Sequence, residues 1–228
     1  KTPKSFNDKI QYRKVHDTNP LLALCSDKVL AKDYVAERIG SEHVIPTLWH
    51  GKTLPPRSER NWARPYVLKA NHMSGGNAFI RPGEDVNWDA VERLAAAWMA
   101  QDYRPDLFER HYDQIERQLL VEPLIGESCF LNDYKFHVFN GKVQFIIAYT
   151  GRGKDIRAHL ATPDWETIDC SYYTKRPDTP PPRPASLSAM IDIAEELGRD
   201  FCFVRVDLYE NGGAPLFGEM TFMPGSGY

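Results

Sequence analysis

The last part of the chain alternates apolar and polar positions in a way that predicts two strands, at residues 203–209 and 216–222. Residues 211–213, Asn-Gly-Gly, predict the hairpin turn between them, because these residue types accept positive φ. Each predicted strand carries one carboxylate, Asp207 in the first and Glu219 in the second. Two carboxylates held close together among apolar neighbours repel one another, and a divalent cation would relieve that repulsion. The pattern therefore predicts either a Mg²⁺ site or a hairpin with two surface acids.

Hydrophobic spacing along the rest of the chain predicts helices mixed with antiparallel strands. Helical spacing predicts helices at residues 21–39, 89–103, 107–118 and 187–197. Short apolar runs and one alternating segment predict strands at residues 43–49, 66–69, 78–80 and 119–124, and a hairpin over residues 133–150. A proline-rich segment, residues 174–186, precedes the last helix. Because hairpins dominate and no internal repeat is evident, the sequence predicts an α+β fold.

A glycine-rich loop, residues 70–77, joins two of the predicted strands, and Lys69 ends the first of them. Strand–loop–strand differs from the strand–loop–helix of a P-loop, and the two common glycine motifs for nucleotide phosphates are absent from the sequence. Glycine lets backbone N–H groups approach phosphate oxygens closely. The loop residues that can take this role are Ser74, Gly75, Gly76 and Asn77. Lys69 is then either a phosphate-binding cation or a solvated lysine at a strand end.

The bulk composition is that of an ordinary globular chain. It has 228 residues, 42% hydrophobic and 26% charged, with a net charge of −3. This length predicts one large domain or two small lobes, and the charge does not favour a nucleic-acid partner. No apolar run approaches the ~20 residues that cross a bilayer, and residues 1–14 lack the apolar core of a signal peptide. Four scattered cysteines predict a reducing compartment, so we expect a cytoplasmic protein.

Several short motifs occur in one order over most of the chain. They are Asp27-Lys28, Val67-Leu68-Lys69-x-Asn71-His72, Asp133-Tyr134-Lys135-Phe136, Phe139-Asn140-Gly141-Lys142, Arg205-Val206-Asp207, Gly218-Glu219-x-Thr221-Phe222 and Pro224-Gly225. The last three resemble the metal-binding core of ATP-grasp enzymes such as D-alanine–D-alanine ligase. The whole set resembles the TupA-like branch of that superfamily, which is found in bacterial genes for teichuronopeptide and other surface polysaccharides.

The resemblance implies an ATP-grasp fold, in which two lobes of antiparallel sheet with flanking helices enclose a nucleotide cleft. We expect an N-terminal helical and strand segment at residues 1–62. The small lobe with the glycine-rich loop would follow at residues 63–120, and the large lobe with the metal site at residues 121–228.

The resemblance also implies roles for single residues. Those expected to bind ATP are Lys28, Lys69, the loop residues Ser74, Gly75, Gly76 and Asn77, the hinge residues Val121, Glu122 and Leu124, and Asp133 with Lys135 near the ribose. Those expected to bind Mg²⁺ are Asp207, Glu219 and Thr221. Arg205 and Lys69 would stabilise the transferring phosphoryl and acyl groups.

Each of these roles has a plainer alternative. Lys28 can be an ordinary first-turn helix lysine, and Glu122 an exposed hinge acid. Asp133 and Lys135 can form a surface ion pair, which contributes little. Arg205 can be a structural partner of Glu219. Many ATP-grasp enzymes have Asn where this chain has Thr221, and a hydroxyl is a weaker ligand than a carboxamide.

The function implied is an ATP- and Mg²⁺-dependent ligase that forms an acyl-phosphate and transfers the acyl group to an amine. Its substrates would be an amino-acid donor and a small-molecule or glycan acceptor of a bacterial surface polysaccharide. Three alternatives stay open: an ATP-dependent phosphotransferase, a non-catalytic glycan-binding protein with this fold, and a glycosyltransferase. The last lacks an Asp-x-Asp motif in the sequence. The oligomeric state does not follow from the sequence.

Overall fold

The structure, a computed structural model, describes residues 2–126, 131–151, 155–170 and 172–228. The α-helices in these residues are α1 Phe6–His16, α2 Leu21–Ser26, α3 Leu30–Ile39, α4 Trp88–Ala100 and α5 Leu187–Gly198. The strands are β1 Trp49–Gly51, β2 Tyr66–Ala70, β3 Asn77–Ile80, β4 Leu119–Pro123, β5 Asp133–Phe139, β6 Lys142–Thr150, β7 Arg157–Ala161, β8 Phe203–Asn211 and β9 Ala214–Thr221. No helix in this part of the chain has the length and apolar character needed to cross a membrane.

The chain divides into two compact units. The first contains the residues up to Asp33, Pro46–Leu124 and Met223–Tyr228, and the second contains Tyr34–Ile45 and Ile125–Phe222. The division into three consecutive segments expected from the sequence stays a prediction.

The first unit is built on a four-stranded antiparallel sheet with the order β1-β4-β2-β3. Its core joins Tyr66 and Leu68 of β2 and Val121 of β4 to Ala95 and Trp98 of α4. These helix residues lie three apart on one face, as the amphipathic spacing of α4 requires. The sheet therefore fixes β2, which carries Lys69, between two other strands.

The second unit is built on a five-stranded antiparallel sheet with the order β7-β6-β5-β8-β9. Helix α5 packs against β5, β6 and β8. Because side chains alternate along a strand, the apolar residues Phe136 and Val206 lie on one face and the charged residues Lys135, Arg205 and Asp207 on the other. One face of this sheet therefore carries charged side chains, while the other packs in the hydrophobic core.

Most predicted elements are present, with three differences. Residues 21–39 are two helices rather than one, because Asp27 leaves helical geometry and its Oδ1 accepts a 2.8 Å hydrogen bond from the N–H of Val29 as the cap of α3. The strand expected at residues 43–49 is wrong, since a 3₁₀ turn covers Ser41–His43 and β1 begins at Trp49. The helix expected at residues 107–118 is replaced by 3₁₀ turns.

Candidate functional site

The polar face of the second unit brings together most of the residues predicted to bind metal. Asp207 on β8 pairs in register with Lys135 on β5 and with Glu219 on β9. The register of β8 and β9 shifts after Asp207, so that Gly218 is an extra residue in β9. A Cβ at Gly218 would lie 2.9 Å from the ring of Tyr209 and 3.0 Å from the carbonyl oxygen of Asp207. Glycine at this bulge is therefore what allows Glu219 to stand opposite Asp207.

Asp207 is held by two cations. The Nε and Nη2 atoms of Arg205 donate hydrogen bonds of 2.6 and 2.7 Å to its two carboxylate oxygens, a bidentate arrangement. Lys135 forms an ion pair with Asp207 and a second, 3.0 Å long, with Asp133. Asp133 and Asp207 are both buried, so the alternative of a surface ion pair does not describe Asp133 and Lys135.

Arg205 also contacts the other two predicted metal ligands. Its Nη2 atom lies 3.2 Å from Oε1 of Glu219 and donates a 2.9 Å hydrogen bond to Oγ1 of Thr221. The two side chains differ in accessibility, because the Glu219 side chain is 46% exposed while that of Asp207 is 3% exposed. Glu219 is thus the carboxylate that an incoming cation can reach most easily.

The charges of this cluster stabilise one another. Burial alone would raise the pKa of Asp207, but Arg205 and Lys135 hold it below its usual range. Burial alone would lower the pKa of Lys135 and of Arg205, yet Asp207 raises both. All three groups are therefore charged at neutral pH. Taken with Asp133 and Glu219, the cluster carries three acids and two bases and has a net charge of −1.

The oxygen atoms on this face fit a magnesium ion whose remaining ligands are waters and nucleotide phosphates. The described residues contain no set of three or more His, Cys, Asp or Glu side chains able to hold a metal by themselves. Mg²⁺ commonly uses only one or two carboxylates from the protein. Glu219 and Asp207 would supply these, with Thr221 beside them, and Asp207 would share its oxygens with Arg205 and Lys135.

The first unit carries the predicted phosphate-binding lysines and the glycine-rich loop. Nζ of Lys28 donates a 2.8 Å hydrogen bond to the carbonyl oxygen of Met73. Ser74 and Gly75 follow in exposed positions, and Gly75 has φ +80° with open space around it. The carbonyl of the buried residue Gly76 accepts a 3.1 Å hydrogen bond from the N–H of Ala70. Lys28 therefore reaches the start of the loop, as a phosphate-binding role requires.

One loop residue is already engaged by its backbone. Asn77 is the first residue of β3 and pairs with Lys69. Its N–H donates a 2.9 Å hydrogen bond to the carbonyl of Gly75. A contact from this N–H to phosphate would require the loop to rearrange.

A buried amide anchors the base of the loop to the start of α3. Asn71 donates hydrogen bonds from Nδ2 to Oδ2 of Asp27 at 3.0 Å and to the carbonyl of Glu116 at 2.9 Å. Its Oδ1 accepts a 2.8 Å hydrogen bond from the N–H of Gln118. Because Asp27 precedes Lys28, this network fixes the lysine relative to the loop.

Glu122 forms ion pairs with two lysines, and one of them was absent from the sequence prediction. Its carboxylate pairs with Lys69 and, 2.5 Å away, with Nζ of Lys32 on α3. Glu122 is buried, so it is not an exposed hinge acid. Lys32 stands four residues after Lys28 within the helix predicted at residues 21–39, and this spacing, which would place both on one helix face, was the available signal in the sequence.

The predicted hinge groups take part in the backbone hydrogen bonds of the first unit. The carbonyl of Val121 accepts a 2.8 Å hydrogen bond from the N–H of Leu48, and the N–H of Leu124 donates a 3.0 Å bond to the carbonyl of Pro65. If Leu124 binds ATP through its N–H, that contact would therefore have to replace an existing hydrogen bond. A cavity of about 560 Å³ beside α4, lined by residues such as Leu54 and Met99, contains none of the predicted site residues.

Comparison with known proteins relates this arrangement to one family. Residues 8–228 match the sequence model of the TupA-like ATPgrasp family. No curated protein matches the sequence.

Solved ligase structures share the fold. The D-alanine–D-alanine ligase from Bacillus anthracis complexed with ATP is 15% identical, with a TM-score of 0.52 over 87% of this chain and 55% of that chain. The L-amino acid ligase from Bacillus licheniformis is 12% identical, with a TM-score of 0.52 over 97% of this chain and 49% of that chain. The ATP-grasp ligase PsnB, complexed with a phosphomimetic precursor variant, Mg and ADP, is 12% identical, with a TM-score of 0.53 over 94% of this chain and 57% of that chain.

This chain spans about half the length of those ligases. At these identities the similarity shows the fold alone. The predicted ATP-grasp fold, α+β with two antiparallel sheets, is confirmed.

Proposed function

The chain belongs to the TupA-like ATPgrasp family, and we propose that it is an ATP- and Mg²⁺-dependent ligase that joins a carboxylate to an amine. The observation that carries the proposal is the arrangement of Arg205, Asp207, Glu219 and Thr221 on one face of β8 and β9. It combines hard oxygen ligands with a guanidinium, the groups needed to bind a metal–nucleotide complex and to stabilise negative charge on a transferring phosphoryl group.

The reaction proceeds in two steps. The donor carboxylate attacks the γ-phosphorus of ATP, forming an acyl-phosphate and releasing ADP. The amine then attacks the acyl carbon, the carbon–oxygen bond to phosphate breaks, and inorganic phosphate and an amide are released with the loss of a proton. When bound, Mg²⁺ neutralises phosphate charge and orients the triphosphate.

The residues of this chain supply orientation and charge. Lys28, Lys69 and the loop residues Ser74, Gly75 and Gly76 bind the phosphates. Arg205 stabilises charge on the phosphoryl and acyl groups, and its contacts with Asp207 fix its guanidinium plane. The remaining ATP-binding residues are Asn77, Val121, Glu122, Leu124, Asp133 and Lys135.

The substrates are proposed from the family. The donor is an amino acid, and the acceptor is a sugar or peptidyl component of a bacterial surface polysaccharide, assembled in the cytoplasm. Support for ligation comes from the neighbours of similar fold, one of them complexed with ATP and another with Mg and ADP.

The first test is calorimetric titration of Mg²⁺–ATP and Mg²⁺–GTP into the protein. Glu219→Gln is the informative variant, because this side chain is 46% exposed and its loss should leave the fold intact. Glu196→Gln is the matched control, since Glu196 also lies 3.2 Å from an arginine and its side chain is 35% exposed. We expect magnesium-dependent ATP binding that Glu219→Gln weakens by about tenfold or more and Glu196→Gln leaves unchanged.

A second assay identifies the chemistry. A ligase turns over repeatedly, producing ADP and inorganic phosphate in equal amounts, only when a carboxylate donor and an amine acceptor are both present. A phosphotransferase turns over with a single acceptor, and the phosphoryl group stays on that acceptor instead of appearing as inorganic phosphate. Folded wild-type protein that binds no ATP would refute the proposal and favour a glycan-binding role.

A further inference from the structure

A lysine outside the predicted site contacts the carboxylate that holds Lys69. We propose that Lys32 is a positioning residue: it holds one oxygen of Glu122, so that the other oxygen holds Lys69 and the group keeps a net positive charge for phosphate. This inference rests on the proposed ATP-binding function.

The contacts form a continuous chain in the first unit. Nζ of Lys32 donates a 2.8 Å hydrogen bond to Oγ1 of Thr47 and lies 2.5 Å from Oε1 of Glu122. The other carboxylate oxygen, Oε2, accepts a hydrogen bond from Nζ of Lys69. Each oxygen of Glu122 therefore has its own lysine, and Thr47 restricts where Lys32 can place its ammonium group.

Burial gives the two lysines different roles. The side chains of Lys32 and Glu122 are 13% and 6% exposed, while that of Lys69 is 27% exposed. Lys32 is thus turned inward onto the carboxylate, and Lys69 is the more accessible cation. Lys69 is also the penultimate residue of β2, the strand that enters the glycine-rich loop, whereas Lys32 lies on α3.

The charge balance explains why a second lysine is needed. Glu122 with Lys69 alone would be a neutral pair, and a neutral pair attracts a triphosphate weakly. Adding Lys32 gives the group a charge of +1. Burial alone would raise the pKa of Glu122, but the two lysines hold it below its usual range, so the carboxylate stays ionised and keeps both contacts.

The test compares Lys32→Met and Lys32→Arg with Lys52→Met. Lys52 is the matched control, because it also lies 2.5 Å from a glutamate in the first unit but its side chain is 69% exposed. We expect Lys32→Met to raise the Kd for Mg²⁺–ATP about tenfold, because Glu122 loses the contact that lets it position the Lys69 ammonium group for the phosphates. Lys32→Arg should retain most of the affinity, and Lys52→Met all of it.

A double-mutant cycle with Glu122→Gln separates positioning from a simple effect of charge. If Lys32 acts through the carboxylate, Lys32→Met should weaken ATP binding by less than about threefold in the Glu122→Gln background. Equal losses in both backgrounds would overturn the proposal, as would full affinity in Lys32→Met. If Lys32→Met fails to fold, Thr47→Val perturbs the same ammonium group more mildly, and the same cycle with Glu122→Gln applies.

An NMR measurement without nucleotide tests this inference separately from the proposed ATP-binding function. In lysine-labelled protein, the ammonium NMR signal of Lys69 should move in Lys32→Met and stay in place in Lys52→Met. If that signal moves but wild-type protein binds no ATP, the proposed function fails while the contact between Lys32 and Lys69 through Glu122 stands. A Lys69 signal that does not move overturns the inference.

Discussion

Removing the charge of Asp207 should destabilise the second unit strongly. Asp207 is buried and is the shared partner of Arg205 and Lys135, whose side chains are 15% and 14% exposed. The variant Asp207→Asn keeps the size of the side chain but leaves two buried cations without their main anion. Loss of one partner from a buried ion pair usually costs about 3–5 kcal/mol. We expect a loss in this range in the free energy of unfolding at pH 7.

The variant Glu219→Gln is the reference against which the loss in unfolding free energy of Asp207→Asn is compared. Glu219 contacts the same arginine at 3.2 Å but from a half-exposed position. Exposed pairs contribute at most about 1 kcal/mol. The two variants should therefore differ by about 2 kcal/mol or more, although both remove one carboxylate from the same cluster.

Urea unfolding without nucleotide, followed by circular dichroism, measures these losses. The pKa of Asp207 is lowered in the folded protein, so its stabilising effect is present above the ordinary unfolded value and is lost as pH falls through the folded value. The gap between wild type and Asp207→Asn should then shrink below about pH 4. Equal stability of Asp207→Asn and Glu219→Gln at pH 7, or a gap independent of pH, would refute the reasoning.

Three further variants test packing, titration and the C-terminal turn. A Cβ at Gly198 would collide with Val138, so Gly198→Ala should cost about 1–3 kcal/mol in urea unfolding, and adding Val138→Ala should cost less than the sum of the single changes. Burial lowers the pKa of His111 to about 4, so its stabilising effect fades as pH falls below 6.5, and His111→Phe should flatten the pH dependence of unfolding between pH 6.5 and 4. Lys14 donates a 2.6 Å hydrogen bond to the carbonyl of Ser226, so Lys14→Met should speed amide exchange at residues 224–228.

The sequence predicted those elements whose patterns are local. The turn residues 211–213 and the alternation on each side predicted the hairpin of β8 and β9, and amphipathic spacing located α4 and α5. Helix α1 was missed because its apolar residues do not form one buried face: Phe6, Tyr12 and Val15 are exposed, and only Ile10 and Lys14 are buried. Its contacts are with the turn at Pro224–Gly227, more than two hundred residues away, which no local pattern reveals.

The sequence predicted which residue types form the candidate site, but not which of these side chains form ion pairs with one another. Period two along a strand placed Arg205 with Asp207, and the hairpin placed Glu219 near them. The contact between Asp207 and Lys135 was not predictable, because it depends on the order of strands in the sheet. Lys32 was missed for a related reason, since its partner lies ninety residues further along the chain.

Each unit contains a buried carboxylate held by two cations, yet the surroundings give the two groups opposite charge. In the first unit Lys28, Lys32 and Lys69 accompany the acids Asp27 and Glu122, which leaves a charge of +1. In the second unit Asp133 and Glu219 stand beside the group of Asp207, Arg205 and Lys135, which leaves −1 for the binding of a metal cation. Under the proposed function, the positive charge of the first group suits phosphate and the negative charge of the second group suits a metal cation. We therefore predict that the binding of inorganic phosphate depends on the residues of the first group, and that Glu219→Gln in the second group weakens ATP binding only when magnesium is present.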